Sequence, residues 1–116
     1  MQNLEQIRAA AALKPAKNLD RSAVNKLPAL ILANGLLATA AFCEAEGGGD
    51  NRGHMKRALD AVAAHLAGQK LIGSSVKTTK DLIEDLASRD SYHLQQATGE
   101  ALAFLAYLKR FAPKKD

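Results

Sequence analysis

The sequence predicts an all-α fold: a compact bundle of five or six helices in a single domain. Three observations carry this. The chain has 116 residues, the commonest domain size, and 47% of them are hydrophobic, which is ample for a core. Aromatics are only 4% and Trp is absent, so that core is built of Leu, Ala, Ile and Val. Leu and Ala favour helix, while the β-branched and aromatic residues that favour strands are scarce. Apolar residues also recur at spacings of three and four along most of the chain.

The first element is "LEQIRAAAALK". Leu4, Ile7 and Ala11 make one apolar face, Asn3 is placed to cap it, and Gln6 sits where a capping box wants Glu or Gln. Pro15 disfavours helix at Lys14, so the helix is expected to stop there. Asn18 to Ser22 supply cap residues for a second helix. Pro28 allows two placements: a first turn, which it tolerates, or a kink in a helix begun earlier.

"KLPALILANGLLATAAF", Lys26 to Phe42, is almost wholly apolar. Its Asn34-Gly35 pair is a hairpin signal, but the flanks are helix formers with no period of two. The run is also shorter than the roughly 20 apolar residues of a bilayer span. Lys26 bounds it on one side, with Glu44 and Glu46 soon after the other, so no membrane contact is expected. The remaining reading is two helices meeting at Gly35. Gly35 then takes the left-handed position of a Schellman stop, with Ile31 and Leu36 in apolar contact across it.

Residues 46–53, rich in glycine, read as a flexible loop. No strand precedes them and no Gly-Lys-Ser/Thr follows, so a phosphate loop is not indicated. "HMKRALDAVAAHLAGQ" is helical, with Met55, Leu59, Val62 and Leu66 as its stripe and Gly68 as a plausible stop. After a connector, Thr78 or Thr79 caps "KDLIEDLAS", with Asp81, Glu84 and Asp85 near its positive end. Asp90 or Ser91 caps the last and longest helix. Its broad apolar face comprises Leu94, Ala97, Ala101, Phe104, Leu105, Leu108 and Phe111. Lys109 and Arg110 suit its C-terminal dipole, Pro113 closes it, and residues 113–116 form a polar tail.

Catalytic signatures are missing from this pattern. His54, His65 and His93 have no partner at metal-ligand spacing and read as surface or boundary residues. Cys43, in an apolar helical run, reads as a buried small hydrophobe. With one cysteine no internal disulfide forms, which fits a reducing cytoplasmic compartment, and no signal peptide is read at the start. No enzyme, metal or cofactor is therefore expected. The net charge of +4 permits a polyanionic partner without demanding one. "LLATAAF" and "GEALAFLAYL" are rich in alanine, which suits either a tight core or a face against another subunit.

"LEQIRAAAA", "KLPALILANGLLATAAF" and "ATGEALAFLAYLKRFA" resemble the small α-helical subunit of the type III-B CRISPR effector, the Cmr complex. Gly99 and Tyr107 depart from that pattern, which tends to Ala and Trp there. The resemblance implies a non-catalytic bundle that stacks in several copies beside the guide-RNA filament. Its implied partners are other copies of itself, the large and backbone subunits, target RNA and the guide–target duplex. Basic side chains would hold RNA phosphates independently of sequence. The candidates are Arg8, Lys14, Lys17, Arg21, Lys26, Lys56, Arg57, Lys109 and Arg110. The alternatives are the small subunit of the related type III-A effector, a helical adaptor that binds only protein, and an unrecognised enzyme.

Overall fold

Six helices account for most of the computed structural model, which describes residues 2–45 and 50–114. Helix α1 is Leu4–Ala16, and its capping box is made as expected. Asn3 Oδ1 accepts from the Gln6 amide and Gln6 Oε1 accepts from the Asn3 amide, both at 2.9 Å. The helix does not stop at Lys14 but continues through Pro15. Proline costs one backbone hydrogen bond here, in the last turn. The fully buried Ala12 and Ala16 hold that turn against the core. Amides of Lys17, Asn18 and Leu19 then bond three residues back and tighten the exit.

Helix α2, Arg21–Asn34, is capped by Asp20. Pro28 lies inside it, past the first turn, and Val24, Leu27 and Ile31 around it are buried. Helix α3, Leu36–Glu44, follows at once. Gly35 separates the two at φ +93° and ψ 158°. This is a glycine-only region, but it is not the left-handed helical position. The Gly35 amide closes α2 on the Ile31 carbonyl (2.8 Å), and the Gly35 carbonyl opens α3 by accepting from the Thr39 amide (3.1 Å). The corner is therefore a single-residue joint rather than the expected Schellman stop. Ile31 and Leu36 on either side are both buried.

The Schellman motif occurs instead after α4, Asp50–Gly68. The Leu71 amide bonds the Leu66 carbonyl and the Lys70 amide bonds that of Ala67, both at 3.0 Å. Lys70, not a glycine, takes the positive φ of 62°. The N-terminal half of α4 also corrects the expected loop over 46–53. Residues 46–49 lie outside the described residues, and residues 50–53 are helical. Arg52 ties this start to the end of α3. Its guanidinium lies over the Phe42 ring at 4.3 Å and donates to the Ala45 carbonyl.

Helix α5, Thr79–Ala87, is capped by Thr78, whose Oγ1 accepts from the Asp81 amide. Thr79 is fully buried. Asp60 of α4 accepts from its amide at 2.7 Å and faces its hydroxyl at 2.8 Å. Helix α6, Ser91–Phe111, is capped by Asp90 and is the longest. Ala97, Ala101, Phe104, Leu105 and Leu108 are fully buried, while Leu94 is half-buried. Phe111 stands at the rim, 38% exposed, so the buried part of the expected apolar face ends at Leu108 within the helix. Of the tail, residues 115 and 116 lie outside the described residues.

One continuous cluster of buried side chains joins all six helices, and no strand occurs among the described residues. Helix α1 packs on α6 and α4, while α3 packs on α5, α2 and α4. Helices α2 and α6 run antiparallel. The start of α2 meets the end of α6 at Arg21, and its end meets the first turns of α6 near Leu94. Among the described residues, no helix is long and apolar enough to cross a membrane.

Candidate nucleic-acid interface

The antiparallel pairing of α2 and α6 gathers cations at one end. Arg21 is the centre. Its backbone amide donates to the Pro113 carbonyl (3.1 Å) and its Nε to the Ala112 carbonyl (2.9 Å). Its Nη2 reaches the Arg110 carbonyl at 3.5 Å. A helix C-terminus leaves its last carbonyls without intrahelical donors and carries partial negative charge, so cations settle there. Two open hollows flank Arg21. One is lined by Arg21, Ser22, Asn25, Lys26 and Lys114, the other by Arg21, Lys109 and Arg110. Lys26, Lys109, Arg110 and Lys114 are exposed.

The other candidates lie elsewhere. Lys14 and Lys17 are exposed at the end of α1 and line neither hollow. Lys56 Nζ stands 3.3 Å from Glu44 Oε2. Exposed Arg57 bonds the His54 ring one turn back. Arg8 is committed to the protein: its Nε and Nη2 each donate to one Glu100 oxygen at 2.8 Å. Lys114 joins the cluster, although by sequence it belongs to the polar tail. Its only signal was its place just after the basic end of α6.

Arg8 and Glu100 belong to a second constellation that the sequence did not reveal. His65 donates from Nε2 to Glu100 Oε2 at 2.8 Å, and its ring stacks on Phe104 with centroids 4.3 Å apart. His65 is therefore a core residue, 5% exposed, not a surface or boundary one. The error has a physical cause. A histidine beside an apolar stripe is buried only when another helix brings a carboxylate to it, and this one comes from 35 positions away. The Arg8 guanidinium, then the His65 ring, hold the Glu100 carboxyl below its ordinary value against the opposing effect of burial. The cluster pins α1 and α4 to the middle of α6.

His54 is half-exposed and His93 exposed, as expected, and His93 bonds the cap carboxylate of Asp90. Cys43 is buried, and desolvation pushes its thiol up to about 11, which keeps it protonated and unreactive at neutral pH. No group of three metal-ligating side chains occurs among the described residues.

At the opposite end of the α2–α6 pair the hollows have uncharged linings, although the Arg52 guanidinium lies over Phe42 beside them. Leu30, Asn34, Ala38, Thr39 and Phe42 line one open hollow. Residues 34–38 with Leu94, Gln95 and Thr98 line the next. Leu32 is 75% exposed on the same helix, and Phe42 is 46% exposed. The Thr39 hydroxyl is buried there with no hydrogen-bond partner among the described residues.

No curated protein and no solved structure matches the chain. The model of one family, CRISPR-associated protein (Cas_Cmr5), matches residues 2–114. That span takes in every helix described above, the basic end and the uncharged end alike. The chain therefore belongs to the Cas_Cmr5 family, the small subunits of the CRISPR-associated Cmr complex.

Proposed function

We propose that this subunit is a non-catalytic spacer of the type III-B effector that holds target RNA by its phosphates. Several copies stack beside the guide-RNA filament. The observation that carries the RNA reading is the gathering of Arg21, Lys26, Lys109, Arg110 and Lys114 at one end of the α2–α6 pair. Phosphates are bound by such clusters without regard to base identity. Sequence is then read by pairing with the guide. No aromatic side chain lines either basic hollow to serve as a stacking platform, which fits a grip on the backbone rather than on bases. No charged side chain lines the hollows of the other end, which suits contact with a neighbouring subunit. A non-catalytic role agrees with the residues: the one thiol is buried, and the one buried histidine is engaged by Glu100.

The test is charge reversal in the assembled effector. Lys26→Glu with Lys109→Glu weakens target RNA binding. It also flattens the dependence of log affinity on log salt, by about 0.7 per lost phosphate contact. Unrelated targets paired to their own guides lose equally, and guide loading changes less. Assembly is checked by gel filtration first. An intact complex with unchanged affinity would leave the protein-only adaptor as the better reading. That reading is favoured by the protein contacts of Arg8 and Lys56, which divert part of the basic set from RNA.

A further inference from the structure

We propose that Arg21 is the positioning residue of the basic end: its planar fork, beyond its charge, fixes where Lys109, Arg110 and Lys114 stand relative to Lys26. The proposal rests on the phosphate-holding reading above. Arg21 is the one residue shared by both basic hollows. Through its backbone and side chain it sends three N–H groups into the end of α6, to the carbonyls of Pro113, Ala112 and Arg110. It therefore caps α6 from another helix.

Two consequences follow from that geometry. First, the segment bearing Lys109, Arg110 and Lys114 is registered against the helix bearing Lys26 by these bonds. α6 itself ends at Phe111, so Lys114 has no helical ladder to hold it. Second, the last carbonyls of α6 carry partial negative charge that would oppose an incoming phosphate. Arg21 Nη2 reaches one of them, that of Arg110, and Nε covers the carbonyl of the cap residue Ala112 beside it. A guanidinium reaches two acceptors from one rigid plane, whereas the ammonium of lysine is a point charge on a flexible stem. Keeping the charge but losing the fork should therefore disorder the cluster without changing how many cations it holds.

The experiment compares Arg21→Lys and Arg21→Gln in the full chain. Binding of a mixed-sequence single-stranded RNA to the assembled effector is measured across a salt series. Arg21→Lys is expected to lose roughly tenfold in affinity, the scale of one charge-assisted hydrogen bond, and to approach Arg21→Gln. Its salt slope stays that of the parent, because the cation count is unchanged. Hydrogen exchange is followed in the full chain outside the complex, so it is informative even if a variant fails to assemble. The Ala112 amide, which bonds the Leu108 carbonyl at 2.9 Å, exchanges faster in both variants. Parent-like RNA binding by Arg21→Lys, or unchanged exchange at Ala112, overturns the proposal. Lys26→Glu with Lys109→Glu separates the two ideas. If that pair weakens binding while Arg21→Lys does not, only the positioning role fails. If that pair leaves binding intact, the phosphate reading fails and takes the positioning role with it.

Discussion

At one end of the α2–α6 pair stand Arg21, Lys26, Lys109, Arg110 and Lys114; at the other stand Leu30, Asn34, Ala38, Phe42 and Leu94. The fourteen residues of α2 set the two ends about 20 Å apart. The difference lies in how helix termini are satisfied. At the basic end α6 terminates alone, so its carbonyls are met by Arg21, and Lys109 and Arg110 occupy its last turn. At the other end the C-terminus of α2 runs into the N-terminus of α3 across Gly35 alone. The two dipole ends face each other and offset. Accordingly α2 has no basic residue in its last turn and α3 no acidic residue in its first. The joint itself needs no charge, and the guanidinium that lies over Phe42 comes from Arg52 of α4.

The largest expected effect concerns the clasp between the two ends. Arg8→Ala leaves the Glu100 carboxylate nearly buried with His65 as its remaining partner, and should cost about 3 kcal/mol in urea unfolding at pH 7. The pH dependence has a definite sign. Glu100 is depressed in the folded chain, so its contribution is complete above its ordinary value of 4.5 and is lost as pH falls through the lower folded value. Arg8→Ala should therefore lose less stability than the parent between pH 5 and pH 2, both pH values being approximate bounds of that window. Equal losses would show that Glu100 does not draw its stability from Arg8.

Gly35→Ala tests the uncharged end. A Cβ there meets nothing within 4 Å, so no clash is expected. The cost is backbone strain at φ +93° with an extended ψ, roughly 1–3 kcal/mol. A parent-like melting midpoint would mean that the joint relaxes freely and that the offset of dipoles there is not held by glycine.

The smallest effect on the fold comes from Leu32→Asp. The side chain is three-quarters exposed, so unfolding free energy should move by no more than about 0.5 kcal/mol. If the uncharged end meets a neighbouring subunit, the same change should still reduce incorporation into the complex while RNA binding by the remaining intact assembly is unaltered. Normal incorporation would remove that end from the list of contact surfaces and leave the basic end as the one functional face.

Local chemistry was legible wherever a residue acts on its own neighbours. Asn3, Asp20, Thr78 and Asp90 cap helices because their acceptors reach amides two or three residues on. The apolar, helix-forming flanks of Gly35 mark it as a corner, and those of Cys43 mark it as buried. Reading failed where packing overrides local preference. Pro15 lies inside α1, because buried neighbours outweigh one lost hydrogen bond, whereas Pro28 takes the second of its two expected placements, inside a helix begun earlier. Lys70 takes a left-handed backbone that glycine would adopt more cheaply.

Among the nine basic candidates, sequence spacing could not separate the bound from the free. Arg8 and Glu100 are 92 positions apart, and Arg21 and Ala112 are 91 apart. The helical class, the caps and the supply of cations follow from the sequence by itself, because periodicity and capping act over one or two turns. Which cations are spent inside the protein, which converge on one end, and that His65 is buried were decided only by the tertiary structure. The reason is that an ion pair depends on which helices pack together, and that choice belongs to the whole core.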